Sequence, residues 1–374
     1  MNFSSSVFIY FFLCAFLIVV LVCNSLELRF KRIRRFRISD IIIIVFSFFF
    51  YAWACFDNVF FLIIIIAVVF CCGKLISFFN SHNAKTLKKV KSVPFWLTIA
   101  LTSVMVFLLY YYKYDKGLLF NLDPARIIIA PLGISFLSFS VVSYVVDVYK
   151  GEKSGNIIDV ALYISFFPKV ISGPIIIWSE FYRIQKERQF CVHNISKGLG
   201  RVVYGLAKKV IIADYFGSVI GTIQSNSGDN IDIPTSWLIS FLYMLQIYYD
   251  FSGYSDVSIG LSNAVGFDIP ENFNFPYVST SITEFWRRWH ISLGLWFRKY
   301  IYIPLGGNRK GKPRTLLNSF IVMFISGIWH GAGLGYMLWG IAHGVCIVTE
   351  KIVQDLSGIN IYRALLNGLS RCSL

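Results

Sequence analysis

The chain has 374 residues, of which 56% are hydrophobic and only 15% charged, with a mean hydropathy of +0.64. That composition excludes an ordinary soluble domain and makes a polytopic membrane protein the expectation. The net charge of +15 would suit nucleic acid, but the basic residues sit beside apolar runs, where membrane topology and anionic lipid head groups account for them.

A helix needs about 20 apolar residues to cross a bilayer. Runs of that kind lie near residues 7–23, 40–55, 58–72, 95–112, 127–147, 200–222, 236–249 and 315–349, with shorter pieces at 157–178 and 282–303. They imply roughly eight to eleven membrane elements. No Lys or Arg precedes the first run, so it is not a secretory signal. Arg29, Lys31, Arg32, Arg34, Arg35 and Arg37 follow it, which puts the first loop in the cytoplasm and the N-terminus outside. Lys85, Lys88, Lys89 and Lys91 then fall inside as well, and the loop 113–126 faces out. The eight cysteines sit mostly in apolar runs, without CxxC pairs or a Cys/His zinc spacing, and read as small core side chains.

Further along, one apolar stretch, "NIIDVALYISFFPKVISGPIII", separates two basic loops that both look cytoplasmic. A single span would place them on opposite sides, so the stretch reads as a re-entrant hairpin broken at Pro168 and at Gly173-Pro174. A second irregular block is expected from "YYDFSGYSD" through "FDIPENFNFPYVSTS". After it, Ser281 and Glu284 form a capping box opening a helix. Its apolar stripe is Ile282, Phe285, Trp286, Trp289, Leu293 and Phe297. On that helix His290 falls about 40° from Trp286, on the apolar side and away from Arg287 and Arg288.

Between Arg287 and Arg314 there are eight basic residues and no acidic one. This is either a cytoplasmic loop obeying the positive-inside rule or an entrance for a phosphate-bearing acyl donor, such as a coenzyme A or a phosphopantetheine carrier protein. Inside it "GGNRKGKP" imitates a P-loop, but Pro313 stands where a magnesium-binding hydroxyl belongs, which rules out nucleotide hydrolysis. Asp250, Ser252, Ser255 and Asp256 of "YYDFSGYSD" could bind a cation or couple protons, or could cap helix ends and bond broken backbone.

The segment "FISGIWHGAG" is the sharpest signal. His330 lies in an apolar run among Gly327, Gly331 and Gly333. Burying an imidazole is costly unless it is bonded, and each glycine weakens a helix by up to about 1 kcal/mol. Glycines also allow close helix approach, but an imidazole can take a hydroxyl proton near neutral pH. On a continuous helix His343 would point about 220° away from His330, outside the same site unless the glycines break the helix.

The segments "PLGISFLSFSVVSYVVDVY", "YYDFSGYSD", "FWRRWHISLGLWFRKYIYIPLGGNRKG" and "GIWHGAGLGYMLWGIAHG" together resemble the membrane-bound O-acyltransferase (MBOAT) family. More narrowly, they resemble its bacterial branch that O-acetylates alginate and other exported polysaccharides. The similarity runs from about residue 40 to residue 350 of a chain read as a single membrane domain, residues 1–374. The resemblance implies an all-α polytopic fold around a trans-membrane tunnel, with re-entrant and interfacial helices, in a bacterial inner membrane. Family members usually continue with further membrane helices beyond the point where this chain stops, at "NGLSRCSL", so those helices are expected to be missing. The family's invariant histidine maps onto His330 as general base, and its supporting histidine or asparagine maps onto His290. Arg287, Arg288, Arg309 and Lys310 would face the phosphates of acetyl-CoA or another acyl thioester, with no metal expected. A polysaccharide acceptor, an extracytoplasmic acetylation partner and membrane lipids are the implied partners, and nucleic acid is not. The alternatives are a D-alanyl transferase of teichoic acid fed by a carrier protein and, from another class, a transporter using Asp250, Asp256 and His330.

Overall fold

A computed structural model describes residues 3–30, 37–54, 56–82, 92–114, 130–170, 173–227 and 231–356. The basic positions 31–36, the lysines 85, 88, 89 and 91, most of the loop 113–126 and the C-terminal residues 357–374 lie outside them. The described residues are predominantly helical, with no strand among them, as a chain that must satisfy its backbone within lipid requires. The chain forms two compact units, Met1–Asn272 and Phe273–Leu374.

Unit 1 opens with a π turn, Phe8–Leu13, that runs into α1, Cys14–Arg29. Then come α2 (Ile38–Ala54), α3 (Asp57–His82), α4 (Val93–Lys113) and α5 (Ile134–Tyr149). Four helices of the described chain are long and apolar enough to span a membrane: Phe8–Glu27, Asp57–His82, Val93–Lys113 and, in unit 2, Leu334–Asp355. Ile38–Ala54 and Ile134–Tyr149 are apolar but shorter.

The stretch read as a hairpin is indeed broken. Helix α6, Ile157–Ser165, is started by a reciprocal cap in which Asn156 Oδ1 accepts from Asp159 N at 2.9 Å and Asp159 Oδ2 accepts from Asn156 N at 2.8 Å. Phe166 leaves the helical region, and one turn, α7 (Phe167–Val170), follows. Residues 173–177 are not helical, and Ile177 is extended where it leads into α8, Trp178–Glu187. This irregular backbone is buried: Phe166 and Phe167 have no exposed surface. Phe167 packs against Phe12, Phe16 and Phe50 at centroid distances of 5.2, 5.0 and 5.4 Å, an aromatic core that stabilises the break by burial.

Helices α9 (Val192–Ala207), α10 (Asp214–Ser227) and α11 (Ile233–Ala264) complete the unit. Glycines let α9 and α11 touch backbone to backbone. A Cβ on Gly198 would lie 2.5 Å from Gly260 O, and one on Gly205 would lie 2.6 Å from Gly253 O, the close approach that small residues permit between membrane helices. The "YYDFSGYSD" segment is not an irregular block, since α11 continues through it to Ala264. Its carboxylates are paired instead. Asp256 receives Arg201 Nε at 2.9 Å and Lys208 Nζ at 2.7 Å, and Asp250 lies 2.7 Å from Lys209 Nζ.

Candidate active site

The site candidates read from sequence lie in unit 2, on four helices: α12 (Ile282–Arg288), α13 (Ile291–Phe297), α14 (Lys312–His330) and α15 (Leu334–Leu356). The cap predicted at Ser281 is present, its Oγ accepting from Glu284 N at 3.1 Å. Glu284 turns back to Thr280, whose N and Oγ1 both donate to it at 3.1 Å. Thr283 N donates to Glu350 Oε2 at 2.9 Å, which ties the start of α12 to α15.

The single helix expected through residue 297 is two short helices with an elbow between them. Trp289 is extended, and His290 sits in the left-handed region at φ 44°, ψ 53°. No glycine or proline marks this break, but His is among the few non-glycine types enriched in that region. Stacking of Phe285 on Trp289 at 5.6 Å and the edge of Phe273 at 5.1 Å hold the elbow. His290 points into the protein, as expected, with 3% of its surface exposed. It lies outside the candidate spans. Burial, and after it the nearby charge of His330, pushes its pKa down to about 3, so at neutral pH this imidazole is uncharged.

His330 is the last residue of α14, exposed where the helix ends. Trp329, Trp339 and Tyr336 surround its ring at 4.7, 5.3 and 6.5 Å. The glycines of "FISGIWHGAG" have separate tasks. Gly327 lies against α15: an added Cβ would sit 2.5 Å from Tyr336 O and 2.9 Å from Gly340 Cα. Gly331 makes room for the Tyr336 ring, which an added Cβ would meet at 2.4 Å. Gly333 O accepts from Tyr336 N at 3.0 Å, starting α15. Gly327 and Gly331 thus serve the close helix approach that glycines allow, the space beside each being filled by protein.

Because the helix does break after His330, His343 is not turned away. It stands at 4.9 Å from Trp339 and 5.2 Å from Trp286, and Trp286 meets Trp339 at 5.5 Å. One aromatic cluster thus links His330 to His343. Spacing alone could have suggested part of this, since Trp339 and His343 are four residues apart on one helix.

The basic residues separate into two groups. Arg288 is engaged, bonding Glu284 Oε1 through Nε at 2.9 Å and Asn274 O at 3.2 Å. Arg287, Arg309 and Lys310 are exposed. The P-loop look-alike is a turn that uses positive φ at Gly306, Gly307 and Gly311 (110°, 53° and 84°). Asn318 Nδ2 donates to Gly307 O at 3.0 Å to fix it, and Pro313 stands in the first turn of α14. Among the described residues no group of three or more His, Cys, Asp or Glu could hold a metal ion.

An exposed imidazole at a helix end, walled by tryptophans, can take a proton from a hydroxyl group, and a buried neutral imidazole can donate an N–H. The sequence profile of the membrane-bound O-acyltransferase family matches residues 49–360. A probable alginate O-acetylase of Pseudomonas syringae pv. tomato is 36% identical over 96% of this chain and 67% of its own length. A peptidoglycan O-acetyltransferase of Helicobacter pylori is 32% identical over 68% of this chain and 55% of its own. A teichoic acid D-alanyltransferase of Streptococcus thermophilus is 30% identical over 58% of this chain and 56% of its own.

Proposed function

Since the chain belongs to the membrane-bound O-acyltransferase family, we propose that it moves an acetyl group from a cytoplasmic thioester to hydroxyls of an exported or cell-envelope polysaccharide, with His330 as general base. It is an O-acyltransferase and a multi-pass membrane protein. The polysaccharide acceptor is supported by the alginate and peptidoglycan relatives. The observation that carries the catalytic assignment is the occurrence in one unit of an exposed His330, its ring walled by Trp329, Tyr336 and Trp339, and a buried His290.

In this reading an unprotonated ring nitrogen of His330 accepts the acceptor's hydroxyl proton as the oxygen attacks the thioester carbonyl. The new C–O bond forms, the C–S bond breaks, and the departing thiolate receives the proton from His330. His290, neutral because burial disfavours its cation, donates an N–H to the carbonyl oxygen as charge gathers there. Arg287, Arg309 and Lys310 attract the donor's phosphates. Arg288 contributes to the same positive field but is first of all the partner of Glu284. Acetyl-CoA or another acyl thioester is the donor, the bacterial inner membrane the location, and an extracytoplasmic protein the one that completes delivery to the polymer.

The test is expression of the chain with His330→Ala and measurement of O-acetyl esters on envelope polysaccharide. Ester content should fall to background, and wild-type content at wild-type protein level would refute the mechanism. The teichoic acid relative favours a second reading, D-alanyl transfer from a carrier protein. Supplying membranes with labelled acetyl-CoA or with a D-alanyl carrier decides between them by which label reaches polymer. The transporter reading loses its motive, because Asp250 and Asp256 are held by Lys209, Arg201 and Lys208.

A further inference from the structure

Unit 1 contains a polar cavity lined by none of the residues assigned above to acyl transfer. It measures about 290 Å³ and opens where α1, the start of α2 and the end of α8 meet. It lies at the end of the candidate span Phe8–Glu27, on the side that carries Arg29 and Arg37 and that the positive-inside rule assigns to the cytoplasm.

Its charged groups are already matched. Asp40 Oδ2 receives Arg37 Nε at 2.8 Å, and Asp40 Oδ1 receives Arg188 Nη1 at 2.7 Å. Behind them Asp159 Oδ1 receives Arg37 Nη1 at 2.7 Å and Lys186 Nζ at 3.1 Å. Glu27 accepts from Ser39 N at 2.7 Å and Ser39 Oγ at 3.0 Å. Among the described residues, Arg37, Lys186 and Arg188 line the cavity with Glu27 and Asp40, and Asp159 lies behind them, so each of these cations already has a carboxylate partner.

The unmet groups are neutral amides. Asn24 and Gln185, exposed by only 6% and 7%, both line the cavity. Asn24 Oδ1 accepts from Arg188 Nη2 at 3.2 Å, but its Nδ2 is buried without a partner, as are Nε2 and Oε1 of Gln185. Each such atom costs about 1–3 kcal/mol if left unbonded, and native interiors leave few of them. Lys186 retains N–H groups beyond its single bond to Asp159, and Glu27 retains lone pairs beyond those that Ser39 fills.

We propose that this cavity binds the head group of an amine-bearing, zwitterionic phospholipid of the adjoining leaflet, of the ethanolamine class. The phosphodiester oxygens accept from Asn24, Gln185 and Lys186, and the primary ammonium donates to Glu27. The ammonium of a zwitterion gives Glu27 a partner that a simple anion lacks, and the exposed apolar side chains Ile18, Val22 and Leu26 of α1 offer a surface for the lipid's acyl chains. Free phosphate satisfies the same donors but lacks the ammonium.

The test is native mass spectrometry of the delipidated full chain in micelles doped with one lipid at a time, of matched acyl chains. Phosphatidylethanolamine should saturate at about ten-fold lower concentration than phosphatidylcholine, whose trimethylated nitrogen has no N–H for Glu27, or than phosphatidylglycerol. Gln185→Leu should weaken ethanolamine-lipid retention about ten-fold. If that variant does not fold, Glu27→Gln should abolish the ethanolamine-over-choline preference. Equal retention of the three lipids, stronger retention of phosphatidylglycerol, displacement by inorganic phosphate, or a folded Gln185→Leu with unchanged retention each overturns the proposal.

Discussion

Gly327→Ala is a single methyl whose consequence can be worked out from distances. The new Cβ would stand 2.5 Å from Tyr336 O and 2.9 Å from Gly340 Cα, and both are backbone atoms that cannot rotate away. Ordinary contact begins at 3.4 Å, so α14 and α15 must part by about 0.9 Å, the difference between 3.4 and 2.5 Å. Overpacking of this kind costs about 1–3 kcal/mol. Its larger effect is on His330, three residues away at the end of the same helix. A misplacement of about 1 Å lowers a rate by about 10²-fold. The assay is initial rate of O-acetyl transfer per mole of folded protein in membranes, with Gly335→Ala beside it, since nothing lies within 4 Å of a Cβ there. Gly335→Ala should keep wild-type rate. A Gly327→Ala enzyme with unchanged rate would refute the claim that this glycine seam positions His330.

His290→Ala should lower the rate by about 10²- to 10³-fold, while His290→Asn, which keeps an N–H donor and tolerates the left-handed backbone, should recover part of it; equal loss in both variants speaks against an N–H donor. The folded pKa of about 3 lies below the ordinary 6.5, so between those values the unfolded chain binds a proton that the folded chain does not. Stability therefore falls as pH drops from 6.5 towards 3, and thermal unfolding of His290→Asn in detergent should show a shallower acid decline than wild type. Asp256→Asn leaves Arg201 and Lys208 short of their shared carboxylate and should cost about 3 kcal/mol, visible as reduced thermal stability; a drop in activity with unchanged stability would revive an ion-path role. Reversal of charge at Arg287, Arg309 and Lys310 should raise the KM for the thioester donor and flatten its salt dependence with little change in kcat, whereas Arg288→Glu should chiefly destabilise α12.

What was legible in the sequence is what depends on local chemistry. Ser281 caps its helix because its hydroxyl is placed to reach the third amide, and Pro168 with Gly173-Pro174 announced the broken backbone. His330 stood out because an imidazole among glycines is costly in an apolar run. The turn at His290 could not be read, because "RRWHIS" carries no breaker and the elbow is held by Phe273, distant in sequence and meeting Trp289 edge-on. The pairing of Asp256 was equally hidden: its cationic partners, Arg201 and Lys208, lie 55 and 48 residues away. The glycines around His330 are equally compatible in sequence with a weakened helix and with close packing, and only the antiparallel return of α15 decides that Gly327 and Gly331 serve the second.

The α9–α11 seam has a mechanical meaning. Gly198 and Gly205 are seven residues apart on one helix, and Gly253 and Gly260 are seven apart on the other, each seated against its counterpart's backbone. Sliding one helix by a single turn would press side chains where only bare backbone fits, at both contacts together. The two helices are therefore keyed like a lock with two pins, and any motion within this unit must carry them as one body.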